Sequence, residues 1–399
     1  MNIIHILRQN IAGKLLNHLA VFLINVMIVR LLGSSQSGIY FNQLYVFNFV
    51  AMVCSLGLDY AAIAWIAGKP VLQATIHRML LKVVLFFFIL LLLIIFVIFP
   101  VFQVSIGLPN WAIIFFISGN LMMILFQGVL SALRRFNLQN ISLLVTNLSF
   151  MGYLLFIQHR GFDLWFCVGM GYGLLFFVQG LLMMSFSYKK EVMMPAIDAK
   201  AFYAHGFRIM LSSLIYFCFL RIDNFFVEKY CDAVTLSNYV QCGKVGQYFL
   251  YFSSVISSTL LPFIASEKIA ATYHEWSRMM RPYFLLIVAG AVLLALFGNY
   301  FYANLFGESF AGMQRIMLVM LPGYVCLGLL TLTNAVYIGK GNIAPIFKGD
   351  LLGLMFVLLF DLLLVPRLGV MAAASVSAVG YVLVFFYLWK GIRQQFAEL

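Results

Sequence analysis

Long apolar runs such as Val83–Phe99 and Leu351–Leu364 constrain this chain more than any other feature. Neither run alternates apolar and polar positions. A segment in lipid must satisfy its backbone internally, which only helices and closed barrels do, and a barrel strand would alternate. The spans are therefore α-helices. Hydrophobic residues make up 64% of the 399 residues and charged residues 10%, against roughly half and a quarter in soluble domains, so the chain reads as an all-α integral membrane protein. At about 20 residues per crossing, about 12 spans follow: 12–32, 39–65, 79–101, 110–133, 140–158, 163–187, 203–228, 236–265, 283–305, 312–338, 345–365 and 370–390. The connections are short, and no soluble domain is inserted.

The net charge of +12 would suggest nucleic-acid binding in a soluble protein. Here the basic residues stand singly or in pairs between spans, as the orientation bias of membrane loops requires. Eighteen of the 25 Lys and Arg fall on one side, five on the other, and Arg221 and Lys244 inside spans. The richer side is expected to be cytoplasmic, with both termini on it. The six cysteines form no CxxC pair, so neither disulfides nor a metal site is expected. Lys14, Asn17 and His18 interrupt any signal-like apolar region, so the first span is expected to remain as an uncleaved anchor.

The polar stretch Ser185–Lys200 separates six spans from six. It predicts two lobes, 1–195 and 196–399, in a duplicated plan familiar in transporters. A faint echo, Gly38-Ile39-Tyr40 after the first span and Ser237-Asn238-Tyr239 after the seventh, agrees.

Polar residues inside spans are costly and usually face a bundle interior or a wet cavity. At 100° per residue, Lys14, His18 and Asn25 share a face. So do Asn48, Ser55 and Asp59; Asn120, Gln127, Ser131 and Arg134; and Gln241, Lys244, Gln247, Tyr248 and Tyr251. Any one stripe reads equally as interhelical hydrogen-bond glue. Four stripes, three carrying a cation, fit a hydrated cavity better. Arg221, Asn224 and Glu228 align in the seventh span, whereas Asp223 lies about 200° from Arg221 and is expected to point elsewhere and pair with a neighbouring helix. Arg221 and Asp223 read either as a structural network or as part of a site. Arg30 is placed to snorkel to the interface. His18 is a candidate proton carrier, while His5, His77, His159, His205 and His274 are expected to be solvated at helix ends. No GxSxG, HExxH or phosphate-binding loop occurs, so no catalytic residue is expected. Gly169-Met170-Gly171-Tyr172-Gly173 reads as close helix packing or a bend.

Several segments resemble the polysaccharide-transport (Wzx-type O-antigen and capsule flippase) branch of the multidrug/oligosaccharidyl-lipid/polysaccharide (MOP) exporter superfamily. They are Arg30-Leu31-Leu32-Gly33, Gly38-Ile39-Tyr40, Gly57-Leu58-Asp59, Arg221-Ile222-Asp223, Leu261-Pro262, Asn334 with Gly339-Lys340-Gly341, and above all Leu362-Leu363-Leu364-Val365-Pro366-Arg367-Leu368-Gly369. Ser237 departs from the pattern where Gly is usual, and Asp361 where Asn is common.

The resemblance implies two six-helix lobes around a central cavity open alternately to each side of a bacterial inner membrane. It implies a flippase moving undecaprenyl-pyrophosphate-linked oligosaccharide from the cytoplasmic to the periplasmic leaflet for O-antigen, lipopolysaccharide or capsule synthesis, beside a polymerase and a chain-length regulator. Pyrophosphate needs cations and a glycan needs amide and hydroxyl partners. Arg30, Arg134, Arg221 and Lys244 offer the first, and Asn25, Asn48, Gln127, Gln241, Gln247 and Tyr248 the second. Asp59, Asp223 or His18 would bind a coupling H+ or Na+. The alternatives are a multidrug or metabolite antiporter of the same superfamily and a membrane polysaccharide polymerase, the latter expected to carry a large periplasmic loop.

Overall fold

The computed structural model describes residues 3–103, 107–188, 197–266, 269–339 and 342–397. Lys189, Lys190, Lys268, Lys340 and Gly341 therefore lie outside the described residues. Those described form twelve α-helices of substantial length and no strand. They are α1 (Ile3–Ser55), α2 (Leu58–Gly68), α3 (Gln73–Leu93), α4 (Asn110–Ala132), α5 (Phe136–Gln158), α6 (Leu164–Ser187), α7 (Ala199–Tyr230), α8 (Ala233–Ser266), α9 (Ile269–Phe306), α10 (Met313–Gly339), α11 (Ala344–Leu368) and α12 (Val370–Ala397).

Among the described residues, ten helical segments are long and apolar enough to cross a membrane, which makes this a multi-pass membrane protein. The 44 residues of Ala12–Ser55 suffice for two crossings. Their break falls at Gly33, whose φ of +73° a side chain would resist. A second break, with positive φ at Leu56 and Gly57, separates α1 from α2. A π-turn at Ile94–Ile98 extends α3 ahead of Pro100, where proline removes the N–H the next α-turn would need. Asp163 starts α6 by accepting from the backbone N–H of Trp165 (3.0 Å). Asp198 accepts from Ala201 (3.1 Å) and Asp232 from Thr235 (2.9 Å), so these short-loop aspartates are N-caps.

The chain divides into two compact units, residues 1–32 with 43–214, and 33–42 with 215–399. Helices α1 and α7 contribute to both. In the first unit α4 is central, packed against α2, α3 and α6. Leu58, Ile66, Leu80, Leu125, Phe126, Val129, Met183 and Phe202 are buried together there. Glycines allow α4 and α6 to meet at backbone distance: a Cβ on Gly173 would sit 2.6 Å from the Ala112 carbonyl, and one on Gly180 2.5 Å from the Gly119 carbonyl. The Gly169–Gly173 stretch is thus a packing surface, as small residues are between membrane helices.

The second unit repeats the scheme. Here α10 is central, with α8 and α12 on it and α11 on α12. Gly323 presses on Ala378, where a Cβ would lie 2.6 Å from the Ala378 Cα. Segment 33–42 joins this unit through a Ser37–Ser237 hydroxyl hydrogen bond of 2.7 Å, and a Cβ on Gly38 would meet the Ser237 backbone at 2.6 Å. The two echo sequences therefore touch one another.

Candidate functional site

The second unit holds a small cavity of about 20 Å³, lined among others by Arg221, Asp223, Asn224, Tyr239, Gly243, Gln247, Tyr324 and Tyr381. That is room for about one water or a bare ion. Asp223 is buried and accepts hydrogen bonds from the Tyr239 hydroxyl (2.5 Å), the Ser377 hydroxyl (2.7 Å) and the Asn224 backbone N–H (2.8 Å). Three helices, α7, α8 and α12, thus fix one carboxylate. Arg221 reaches the same cavity: its Nη1 lies 3.1 Å from where a Cβ on Gly243 would stand, so that glycine makes room for the guanidinium. The wheel angle separating Arg221 from Asp223 does not separate their functional ends. The expected pairing of Asp223 with a neighbouring helix is found at Tyr239 of α8 and Ser377 of α12, while Arg221 and Asp223 nonetheless line one cavity.

Lys244 stands one residue beyond Gly243 with its Nζ 2.6 Å from the Phe41 ring centroid, a cation–π contact. Asn42, on the same short segment, donates to Glu228 Oε2 at 2.6 Å. Gln241 is fully buried, and Tyr248 packs edge-on against Tyr251. Asp361 on α11 is 0% exposed, and neither carboxylate oxygen has a hydrogen-bond partner among the described residues. Asp361 and Asp223 both lie within electrostatic reach of the Tyr381 hydroxyl.

The remaining candidates belong to the first unit. Asn48 accepts from Asn120 Nδ2 at 2.5 Å, Asn25 is buried, and Gln127 is half-buried. Half-buried His18 lies beside Lys14, and Arg30 is exposed three residues before the break at Gly33. Two stripes do not survive. Asp59 lies in the first turn of α2, beyond the Leu56–Gly57 break, so it does not continue the Asn48–Ser55 face. Arg134 is exposed past the end of α4 with φ +57°, so that stripe stops at Ser131. His77 is a further correction, being buried with its Nδ1 3.1 Å from the Ser187 hydroxyl. His205 accepts from Trp65 Nε1 at 3.3 Å.

Sequence reasoning passed over Ser377, Tyr324 and Tyr381, which only tertiary packing gathers. It also passed over Asp350, although Asp350 and Asp361 are eleven residues apart on one helical face.

The sequence matches no family model, and no curated protein matches it. Solved structures do. The lipid II flippase MurJ in an inward closed conformation superposes with a TM-score of 0.74 at 11% identity, over 96% of this chain and 86% of that one. An inward-facing multidrug resistance MATE family transporter of the MOP superfamily gives 0.71 at 14%, over 96% and 95%. The Vibrio cholerae MATE transporter VcmN, in its bent form, gives 0.70 at 12%, over 99% and 97%. The chain has the fold these transporters share.

Proposed function

We propose that this protein is a flippase for undecaprenyl-pyrophosphate-linked oligosaccharide, moving it from the cytoplasmic to the periplasmic leaflet of a bacterial inner membrane by alternating access, ahead of a polymerase and its chain-length regulator. The observation that carries the reading is the pair of cations, Arg221 and Lys244, held in membrane helices of a fold shared with the lipid II flippase. Such charges are retained at bilayer depth only for a purpose, and a pyrophosphate is a fitting partner for an arginine and a lysine. The cavity is too small for a sugar. Its role in this reading is coupling: Asp223, with Asp361 beside it, binds a proton or sodium ion whose affinity differs between the two states of the cycle. Arg30, Arg134, Asn25, Asn48, Gln127, Gln241, Gln247 and Tyr248 are the proposed substrate contacts, and Asp59 and His18 the secondary coupling candidates.

Buried carboxylates also suit a second reading, a cation-coupled multidrug or metabolite antiporter, and the fold is shared with a multidrug resistance MATE family transporter. Deleting the gene in its source organism separates the two. Accumulation of complete lipid-linked oligosaccharide, shielded from a membrane-impermeant periplasmic probe, is expected for the flippase. An unchanged lipid pool with new sensitivity to cationic drugs would establish the antiporter instead.

A further inference from the structure

Residues 33–42 belong to the second unit, and their contacts fall on one face. Ser37 shares its 2.7 Å hydrogen bond with Ser237, and Gly38 lies against the Ser237 backbone, where a Cβ would stand 2.6 Å away. One turn further along, the Phe41 ring centroid lies 2.6 Å from Lys244 Nζ, and Asn42 donates to Glu228 Oε2 at 2.6 Å. Positions 37, 38, 41 and 42 share a face of a helix, and Ser237 and Lys244, seven residues apart, share a face of α8. A side chain at Gly38 would hold the two helices apart. Their close approach is what lets a ring one turn on reach the lysine.

The ring is enclosed, whereas the lysine it touches is not. Phe41 is 3% exposed, and Tyr40 packs edge-on against it at 5.2 Å. Lys244 is half-buried. A lysine on a four-carbon stem has many rotamers, and ordering it at the moment of binding weakens affinity. A carboxylate could order it beforehand but would also neutralise it. The face of an aromatic ring attracts a cation through its quadrupole and leaves the positive charge in place. Arg221 reaches the same stretch of α8, its Nη1 3.1 Å from where a Cβ on Gly243 would stand. Like charges on neighbouring side chains repel, and an anion with two adjoining phosphate groups relieves both.

We propose that Phe41 is a positioning residue. Its ring holds the Lys244 ammonium in the orientation in which, together with Arg221, it takes a pyrophosphate group. Ser37 and Asn42 hold the ring there through Ser237 and Glu228. Phe41 acts through Lys244 and does not itself touch the anion. The inference deepens the proposed function and rests on that reading for the identity of the anion.

The test uses the full chain in lipid nanodiscs, with phenylalanines carrying one, two or three ring fluorines placed at position 41. Fluorine keeps the shape of the ring and drains electron density from its face, which a purely structural role would not register. Acetic anhydride acylates the neutral amine of Lys244, with exposed Lys348 as the internal reference. Acylation of Lys244 is expected to quicken with each fluorine, and about tenfold in Phe41→Leu, while the melting temperatures of the fluorinated chains stay at the wild-type value. Binding of undecaprenyl pyrophosphate is expected to weaken in the same order, again by about tenfold in Phe41→Leu. Competition by inorganic pyrophosphate should weaken in step, since the contact is to the phosphates and not to the lipid tail. In a chain already carrying Lys244→Ala, the F41L change is expected to add nothing.

Acylation rates that ignore the fluorines would overturn the ring's hold on Lys244. Rates that follow the fluorines while binding stays level would overturn the positioning role, and tighter binding would make Phe41 a competitor of the anion instead. Should F41L not accumulate, the fluorinated chains decide the matter alone. A wild-type chain that binds neither probe would reject the flippase reading and the anion with it, whereas the acylation rates need no substrate and judge the Phe41–Lys244 contact separately.

Discussion

The two units follow one packing scheme, and both bury amides and hydroxyls, but among the described residues only the second buries carboxylates. In the first unit the buried polar side chains are amides, hydroxyls and one imidazole, most of them satisfied by a neighbouring helix. Gln179 Nε2 donates to Thr146 Oγ1 (2.9 Å) and Asn147 Oδ1 (3.0 Å), and Asn17 Nδ2 donates to the Asn140 carbonyl (3.0 Å). In the second unit lie all three buried carboxylates found among the described residues, Asp223, Asp350 and Asp361. Amide pairs between membrane helices hold them together at modest gain, whereas a buried carboxylate is held at a cost. Gln179 and Asn17 in the first unit thus read as cement, and the second unit's carboxylates as working groups.

The sharpest way to break that contrast is Asp361→Asn, which keeps shape and removes the titrating group. Transport in proteoliposomes is expected to fall about a hundredfold, the equivalent of about 2.7 kcal/mol of lost bias between states, while the melting temperature stays level or rises. A variant that transports normally would reduce Asp361 to a packing residue.

Next in size is Gly119→Leu in the first unit. A side chain there would collide with the backbone of Phe176 and Phe177, and overpacking of this kind costs about 1–3 kcal/mol or more. Yield and melting temperature of the purified protein are expected to drop sharply. Gly323→Leu, against the Ala378 backbone, should match it, since volume is where the two units are alike. Gln179→Ala then tests the cement directly. Its loss should cost up to about 1.7 kcal/mol and leave transport per folded molecule unchanged. A transport defect without a stability change would move Gln179 into the machinery and undo the contrast.

What was legible in the sequence follows the same physics. Span positions came through to within a few residues at most ends, because a run of about 20 apolar residues has few alternatives in lipid. Helix faces came through only where the helix continues. The Asn48–Asp59 alignment failed at Leu56–Gly57, and the Asn120–Arg134 alignment failed at Arg134, where non-glycine residues take positive φ. Nothing in the local residues announces that. His77 has the sequence neighbours of a solvated helix end, and tertiary packing buries it, with the Ser187 hydroxyl and the Phe126 and Tyr188 rings against its imidazole. Asp223 and Arg221 were separated by an angle measured at Cα, which a long flexible side chain overrides. Asp350 and Asp361 were readable as one face and went unpaired because each stands alone in its own apolar surroundings.

The smallest expected effect concerns the helix starts, where the units should again agree. Asp232 opens α8 by accepting from the Thr235 N–H (2.9 Å) and hydroxyl (2.7 Å), and those hydrogen bonds hold its carboxyl below the usual carboxylate value. A carboxyl depressed in the folded state stabilises at pH values above its unfolded value of 3.8, and that stabilisation is lost as pH falls through the lower folded value. Asp232→Ala should therefore lower stability by about 1 kcal/mol or less at neutral pH. The gap to wild type should close as the pH is taken below that window in thermal melts. Asp163→Ala, which removes the acceptor for Trp165 at the start of α6, should behave alike at neutral pH. A gap at Asp232 that persisted in acid would show that the side chain works by packing rather than by charge-assisted capping.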